Sequence, residues 1–427
     1  GEYSLPNIRY LAGMLQRARR EGRRLLYKSD VSSAFLRLRL APETAMLHAV
    51  QVGDLILIPL VMMFGWAAAP IFYSVVSGCV NWAHNGARDD NGEWTQGVGP
   101  AQLDSWREQQ GFAPVDRPPG QQMVDRSMTY VDDSAGPSSH AAIESDMADV
   151  ETIIRQLMGS DAVNVKKTEG PLPELTIIGW QCNMVTGMMQ PSEKALRKMF
   201  WWLFRGTTAE GGEFKIKLAD LRKVVGLLRW YSAVMPYTST FALQRLLTLQ
   251  ERMAAGSKAY QRLVNVRKEA AKELQYWRWM FDQGLRNTRA WSAPIWFLAR
   301  NFEGQPMVPM WTDAATSIGG GHAVEVPQDW GRPEKGHYGQ FRWTEGEKAL
   351  YGVTQDNTTD INALEFVTAV MAVVQERDML RGRVVRLNVD NTTAVAWLNK
   401  LRSSHRMGQY WVAVLTQTLL DYNIVLI

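Results

Sequence analysis

Cysteine is almost missing. Cys79 and Cys182 are the two in 427 residues, which excludes a disulfide scaffold and suits a reducing compartment. No zinc-like cluster of cysteine and histidine is visible in the sequence. A large charge of either sign is absent too: Lys+Arg 47 against Asp+Glu 43 leaves a net charge of +4. That balance is compatible with a nucleic-acid partner without demanding one. No signal-peptide pattern precedes the chain, which starts at Gly1 rather than Met. It therefore reads as an excised piece of a longer intracellular protein, cytoplasmic or nuclear. One uncharged run, Leu55 to Val76, is long enough to suggest a membrane helix. Pro59, Gly65 and Pro70 interrupt it, so the expectation is a buried strand over 55–60, a tight turn and a buried helix from about Pro70.

What is present is ordinary globular material, 46% hydrophobic and 21% charged. A chain of this length needs two to three domains. A basic run (Arg9, Arg17, Arg19, Arg20, Arg23, Arg24, Lys28, Arg37, Arg39) is either a solvated helix face or a phosphate-tracking groove. The pattern predicts a helix over 5–20 and a strand ending near Asp30. A long polar loop or insertion spans 81–122. A strand over 127–131, a helix over 139–159 and a strand over 175–181 follow. From Pro191 to about Arg300 the periodicity is helical throughout, with apolar faces over 218–233, 241–253 and 264–280. Trp201, Trp202, Trp277 and Trp279 in this region suit core packing better than base stacking. Beyond Asn301 the pattern alternates: strand 307–312, helix 362–376, strand 384–389, helices 391–398 and 407–422, and a strand from Asn423. That is an α/β domain with its own core.

Chemistry concentrates in carboxylates at element ends. Tyr130-Val131-Asp132-Asp133 places two adjacent acids at the end of an apolar segment, costly unless a cation neutralises them. Alone, such a pair in a turn is commonly just a turn. Asp30 ends another apolar strand and precedes Val31-Ser32-Ser33-Ala34-Phe35, adding a third carboxylate and free backbone amides. Between them, Phe64-Gly65-Trp66-Ala67-Ala68-Ala69-Pro70 allows close backbone approach at Gly65 and a helix start at Pro70. Three carboxylates of this kind suit nucleotidyl transfer on two Mg²⁺ ions, with Mn²⁺ an alternative.

In order and residue type these segments resemble motifs A, B and C of retroelement reverse transcriptases. Asn164-Val165-Lys166-Lys167 is similar to motif D, and Ile178-Gly179-Trp180 to the primer-grip turn. The resemblance implies an α+β polymerase palm with partial fingers over 1–190, including an insertion at 81–122. It also implies a helical thumb and connection over 191–300. Asp30, Asp132 and Asp133 would hold the metals. Phe35 would be the steric gate against a 2′-hydroxyl, or else a core aromatic. Phe64 and Gly65 would line the nucleotide pocket, and Tyr130 would pack near the primer terminus. Lys167, with Lys166 close behind, would protonate the leaving pyrophosphate, or else be a solvated lysine. The family's triphosphate-binding lysine and arginine before motif A have too little chain here and are expected to be missing.

A second constellation follows. Asp313 ends a strand, Glu365 lies on a helix, and Asp390 ends another strand, where it could equally cap the helix starting at Asn391. The order strand-Asp, helix-Glu, strand-Asp resembles RNase H, two Mg²⁺ ions again being implied. The run Asp390–Lys400 is most similar to RNase H domains of DIRS-like, tyrosine-recombinase retrotransposons. The implied α/β RNase H-like domain covers 301–427 and is expected to be truncated at its C-terminus, before a fourth carboxylate, with weak or no cleavage. The implied partners are RNA or DNA template-primer and deoxynucleoside triphosphates, with no membrane. A non-catalytic nucleic-acid-binding remnant of a decayed element is the alternative. An RNA-dependent RNA polymerase shares the palm logic and is disfavoured by Phe35 and the trailing nuclease.

Overall fold

A computed structural model describes residues 8–63, 66, 69–88, 94–95, 97–119, 125–204, 208–210, 213–232, 243–254, 263–266, 268–286, 291–316, 318–326, 336–351, 361–401, 403, 405 and 407–427. Phe64 and Gly65 lie outside these residues. The chain divides into two compact units, residues 1–192 with 294–301, and residues 193–293 with 302–427. Both are mixed α/β.

In the first unit, helix α1 (Ile8–Arg20) buries Leu11, Met14, Leu15 and Ala18 on one face, the three-to-four spacing that a helix docked on one side requires. Strand β1 (Leu25–Asp30) follows. A hairpin, β2 (Val50–Val52) and β3 (Leu55–Leu57), precedes helix α2 (Ala69–Asn85) and helix α3 (Pro100–Gln109). Strands β4 (Met128–Tyr130) and β5 (Asp133–Ser138) lead into helix α4 (Ile143–Met158). Strand β6 (Glu169–Leu172) completes a four-stranded sheet of order β4-β5-β1-β6. Strands β7 (Glu174–Ile177), β8 (Trp180–Asn183) and β9 (Met188–Pro191) pair antiparallel in a second sheet. The core under the first sheet joins Leu25 and Tyr27 of β1 to Tyr73 and Val80 of α2 and to Val150, Ile153 and Ile154 of α4. Burying side chains of this size contributes about 1.5–3 kcal/mol each.

The second unit holds helices α5 (Glu193–Phe204), α6 (Leu218–Ser232), α7 (Gln244–Ala254) and α8 (Lys268–Arg286). Its five-stranded sheet has the order β12-β11-β10-β13-β14, built from β10 (Met307–Ala315), β11 (Gly319–Glu325), β12 (Gly336–Arg342), β13 (Val384–Val389) and β14 (Val425–Leu426). The first three strands are antiparallel, while β13 and β14 run parallel to β10. Parallel neighbours need long crossovers, here supplied by helices α9 (Ile361–Gln375), α10 (Thr392–Lys400) and α11 (Gly408–Tyr422). Helix α9 is buried nearly all round, with Leu364, Val370 and Val373 packed among Met310, Val385 and Leu415.

Several sequence expectations need correction. The stretch expected as a buried strand is an exposed hairpin: Leu55 is 67% and Ile56 69% accessible. No helix among the described residues is long and apolar enough to cross a membrane. The polar segment 81–122 is not structureless. It contains the end of α2 and all of α3, whose Leu103 is fully buried against α4. Its polar composition hid a helix with one fully buried residue. The strand expected over 175–181 breaks into β7 and β8 at Ile178 and Gly179, both at positive φ. The segment expected to be helical throughout also forms a three-stranded sheet from 208–210, 213–217 and 263–266. Of the tryptophans, Trp277 is core at 1% accessibility, whereas Trp201 is 49% exposed.

The basic run has internal partners. Arg17 makes a bidentate pair with Asp125 at 2.6 and 3.0 Å. Arg19 donates to the Met184 and Val185 carbonyls, and Lys28 pairs with Glu169 at 3.1 Å. Arg37 pairs with Asp161 and also donates to the Ser32 and Met158 carbonyls. These four cations clamp the fold.

Candidate active sites

The first site is built on β1 and the β4–β5 hairpin. Antiparallel register sets Asp30 directly opposite Asp133, and Tyr130 opposite Asp133 closes the hairpin over Val131 and Asp132. Val131 has φ 54°, a conformation that a β-branched residue holds only when its surroundings impose it, at a cost of about 1–3 kcal/mol. Two hydrogen bonds impose it: Ser77 Oγ donates to the Val131 carbonyl at 2.8 Å, and the Val31 amide donates to the Asp132 carbonyl at 2.9 Å. The turn that aims Asp132 is thereby tied both to α2 and to the chain just after Asp30.

Asp30 is 3% accessible. Lys167 Nζ lies 3.1 Å from its carboxylate, Asn164 Nδ2 donates to Oδ2 at 3.0 Å, and the Asn164 amide donates to the Asp30 carbonyl at 2.8 Å. Lys167 thus supplies positive charge to Asp30, and the carboxylate raises its pKa in turn. Asp132 and Asp133 are half-buried. Burial, reinforced by the neighbouring carboxylates, pushes the Asp132 carboxyl up and that of Asp133 to about 6. Phe35, in the 3₁₀ turn Ala34–Arg37, stands edge-on to Tyr73 with ring centroids 5.4 Å apart. Tyr130 is half-buried on β4.

The second site lies in the second unit. The carboxylate oxygens of Asp313 on β10, Glu365 on α9 and Asp390 just past β13 come within 4.8 Å of one another. Parallel pairing of Thr312 with Val389 brings the two aspartates to the same end of adjacent strands. Glu365 is 3% accessible. Its Oε1 accepts from the Ala314 amide at 3.2 Å, while its buried Oε2 has no donor directed at it. Burial first, then the charges of Asp390 and Asp313, raise the Glu365 carboxyl to about 7. Asp390 does not cap α10. Asn391 does, its side chain accepting from the Ala394 amide at 2.9 Å, so Asp390 is left to face the other two acids. A buried lone pair without a donor among three converging carboxylates is a donor set that suits a hard divalent cation.

The first triad is not gathered as tightly as the second, which is one of two such groups among the described residues. Lys167 and Lys28 place positive charge near all three acids of the first site.

Sequence reasoning missed the groups that hold these acids. Asn164 and Ser77 bind backbone and carboxylate around the first site. Behind the hairpin, Arg126, 1% accessible, donates to Asp146 at 2.6 Å and pairs with Asp149 at 2.5 Å. Asp149 is also bound by Arg117, which reaches Asp104 on α3 as well. The excess of arginine over nearby lysine in 107–126 was the available signal, since planar guanidinium suits buried bidentate pairs.

No family model matches the chain, and no curated protein matches it. Solved structures of similar shape include three of a foamy viral protease–reverse transcriptase. The one in complex with RNA/DNA hybrid is 13% identical with a TM-score of 0.42, covering 100% of this chain and 46% of that one. One described as dRH, in complex with ds DNA, is 12% identical at TM-score 0.36, covering 95% and 56%. A further one in complex with dsDNA is 12% identical at TM-score 0.38, covering 100% and 71%. The chain thus spans about half the length of the first two.

Proposed function

We propose that this chain is an RNA-directed DNA polymerase, able also to copy DNA, joined to an RNase H-type nuclease, of the retrotransposon class that the motifs resemble. On this reading residues 1–190 are palm with partial fingers, 191–300 thumb and connection, and 301–427 the nuclease. The observation that carries it is the pairing of Asp30 with Asp133 across adjacent strands, more than 100 residues apart in sequence, beside the strained turn that presents Asp132.

Asp30, Asp132 and Asp133 would hold divalent cations in the polymerase, and Asp313, Glu365 and Asp390 in the nuclease. Bound there, Mg²⁺ supplies charge to the reacting phosphate and lowers the pKa of the attacking hydroxyl or water. The chain's own contribution is alignment. The hairpin fixes the two acids, Lys167 holds a proton next to Asp30 for the departing pyrophosphate, and Phe35 limits the space beside the sugar. In the nuclease the Ala314 amide would fix the buried Glu365 beside the two strand-end aspartates. A decayed, non-catalytic remnant fits less well, because all six acids are retained.

Primer extension on an RNA template with deoxynucleotides and Mg²⁺ tests the proposal. Wild type should extend the primer and Asp132→Asn should not. Equal incorporation by both removes the polymerase assignment.

A further inference from the structure

Three ligand-type side chains in the second unit converge apart from that unit's acidic triad. His322 lies on β11, His337 on β12, and Glu376 directly follows the last turn of α9. A histidine at position 322 and one at 337 share a sheet face, since His337 pairs with Val324, two residues along from His322. Glu376 Oε1 is 2.8 Å from His322 Nε2 and 2.9 Å from His337 Nδ1. The three ligand atoms all lie within 4.8 Å of one another. His322 and Glu376 are buried, at 6% and 8% accessibility.

The Glu376 carboxylate is shared between the two imidazoles. His322 Nε2 is placed to hydrogen-bond its Oε1, and the buried His337 Nδ1 lies 2.9 Å from the same atom. Both rings thus turn a nitrogen to one oxygen, as happens when ligand atoms face a common point. Room for the arrangement is built in. Gly339 sits opposite His322, and a Cβ there would lie 2.3 Å from His322 Cε1. Any larger residue would push the His322 imidazole out of place.

From this geometry we infer that His322, His337 and Glu376 form a site for a borderline transition metal, Zn²⁺ above all. Two imidazoles and one carboxylate are a donor set that Zn²⁺ accepts at about 2.0–2.2 Å, with ligand atoms about 3.4 Å apart in a tetrahedron. The two His–Glu separations of 2.8 and 2.9 Å reach that spacing with shifts of about 0.5 Å. Magnesium is disfavoured by the two nitrogen donors. The His337 side chain is 38% exposed. Glu376 lies eleven residues beyond Glu365, about 16 Å along a helix axis, so this site is distinct from the acidic triad. A metal here would staple β11 and β12 to the end of the helix that carries Glu365.

The test is Co²⁺ and Zn²⁺ titration of the full chain after treatment with chelator. One equivalent of Co²⁺ should give the intense visible absorption of a tetrahedral site, displaced by Zn²⁺, and Zn²⁺ should raise the melting temperature. His337→Ala, at a half-exposed position, and the isosteric Glu376→Gln should each weaken this binding about a hundredfold or more, and each should remove the intense visible absorption. Asp313→Asn should leave the visible absorption unchanged. No visible absorption, or binding that both variants retain, means a proton-sharing His–Glu–His triad only, and overturns the assignment.

Discussion

Replacing Arg126 by Met tests whether the buried ion network behind the β4–β5 hairpin carries the weight its geometry implies. The guanidinium is 1% exposed and its partners Asp146 and Asp149 are 4% and 0% exposed. Methionine matches much of the volume, so the cavity term is small and the loss is electrostatic. Two carboxylates are left in the interior. Asp149 retains Arg117 at 2.6 Å and Asp146 retains the hydroxyl of Ser138 at 2.5 Å, so neither is wholly abandoned. Removing one partner of such a pair costs about 3–5 kcal/mol. For a unit of this size each kcal/mol lowers the melting temperature by about 2–4 °C, giving a drop of about 6–20 °C. Burial already raises the Asp146 carboxyl despite Arg126, and without the arginine it rises further. A folded-state pKa above the unfolded one favours the fold at low pH, so the deficit should narrow as the pH falls through that pKa. Thermal unfolding followed by circular dichroism at pH 8 and pH 5 measures both effects. A loss below about 1 kcal/mol at pH 8 would refute the reasoning, because it would mean that the network is solvated or replaceable.

Phe35→Ala should raise ribonucleotide incorporation relative to deoxynucleotide by about tenfold or more, read in single-nucleotide extension; unchanged discrimination would leave Phe35 as a packing partner of Tyr73. Glu365→Gln removes a carboxyl held near pKa 7 by burial and by Asp313 and Asp390. Because that folded pKa lies above the unfolded value, the metal-free protein loses stability as pH rises from about 4.5 to 7. The variant should therefore melt higher than wild type at pH 8 without metal and about equally at pH 4.5; equal melting at pH 8 would contradict the charge crowding. Lys167→Met should slow extension and leave Asp30 without its cation, so its defect should ease with added Mn²⁺ if the role is partly electrostatic; an unaltered rate would make Lys167 a bystander.

The parts legible in the sequence were short-range. A strand ending in Asp30, an apolar segment ending in Tyr130-Val131-Asp132-Asp133, and the alternation after Asn301 each announce themselves within ten residues. The acids at element ends could be identified because charge at the end of an apolar run has few structural reasons. What could not be read was set by distance. The register that opposes Asp30 to Asp133, and the meeting of Arg126 with Asp146 and Asp149, depend on pairings across the chain. Apolar runs say nothing of which side is covered, so Leu55 and Ile56 looked buried and are exposed. In α3 the polar surface outweighed one buried leucine, and a helix passed for a loop. His322, His337 and Glu376 have no motif spacing at all, being joined only by the sheet and the helix end.

The central claim is that two sets of distant acidic side chains each trap divalent cations. Counting bound Mn²⁺ by electron paramagnetic resonance in wild type, Asp132→Asn, Glu365→Gln and the double variant tests it directly. The account predicts that each single variant loses a separate share of the bound ions and that the double variant loses both. A double variant that holds Mn²⁺ as wild type does would contradict it.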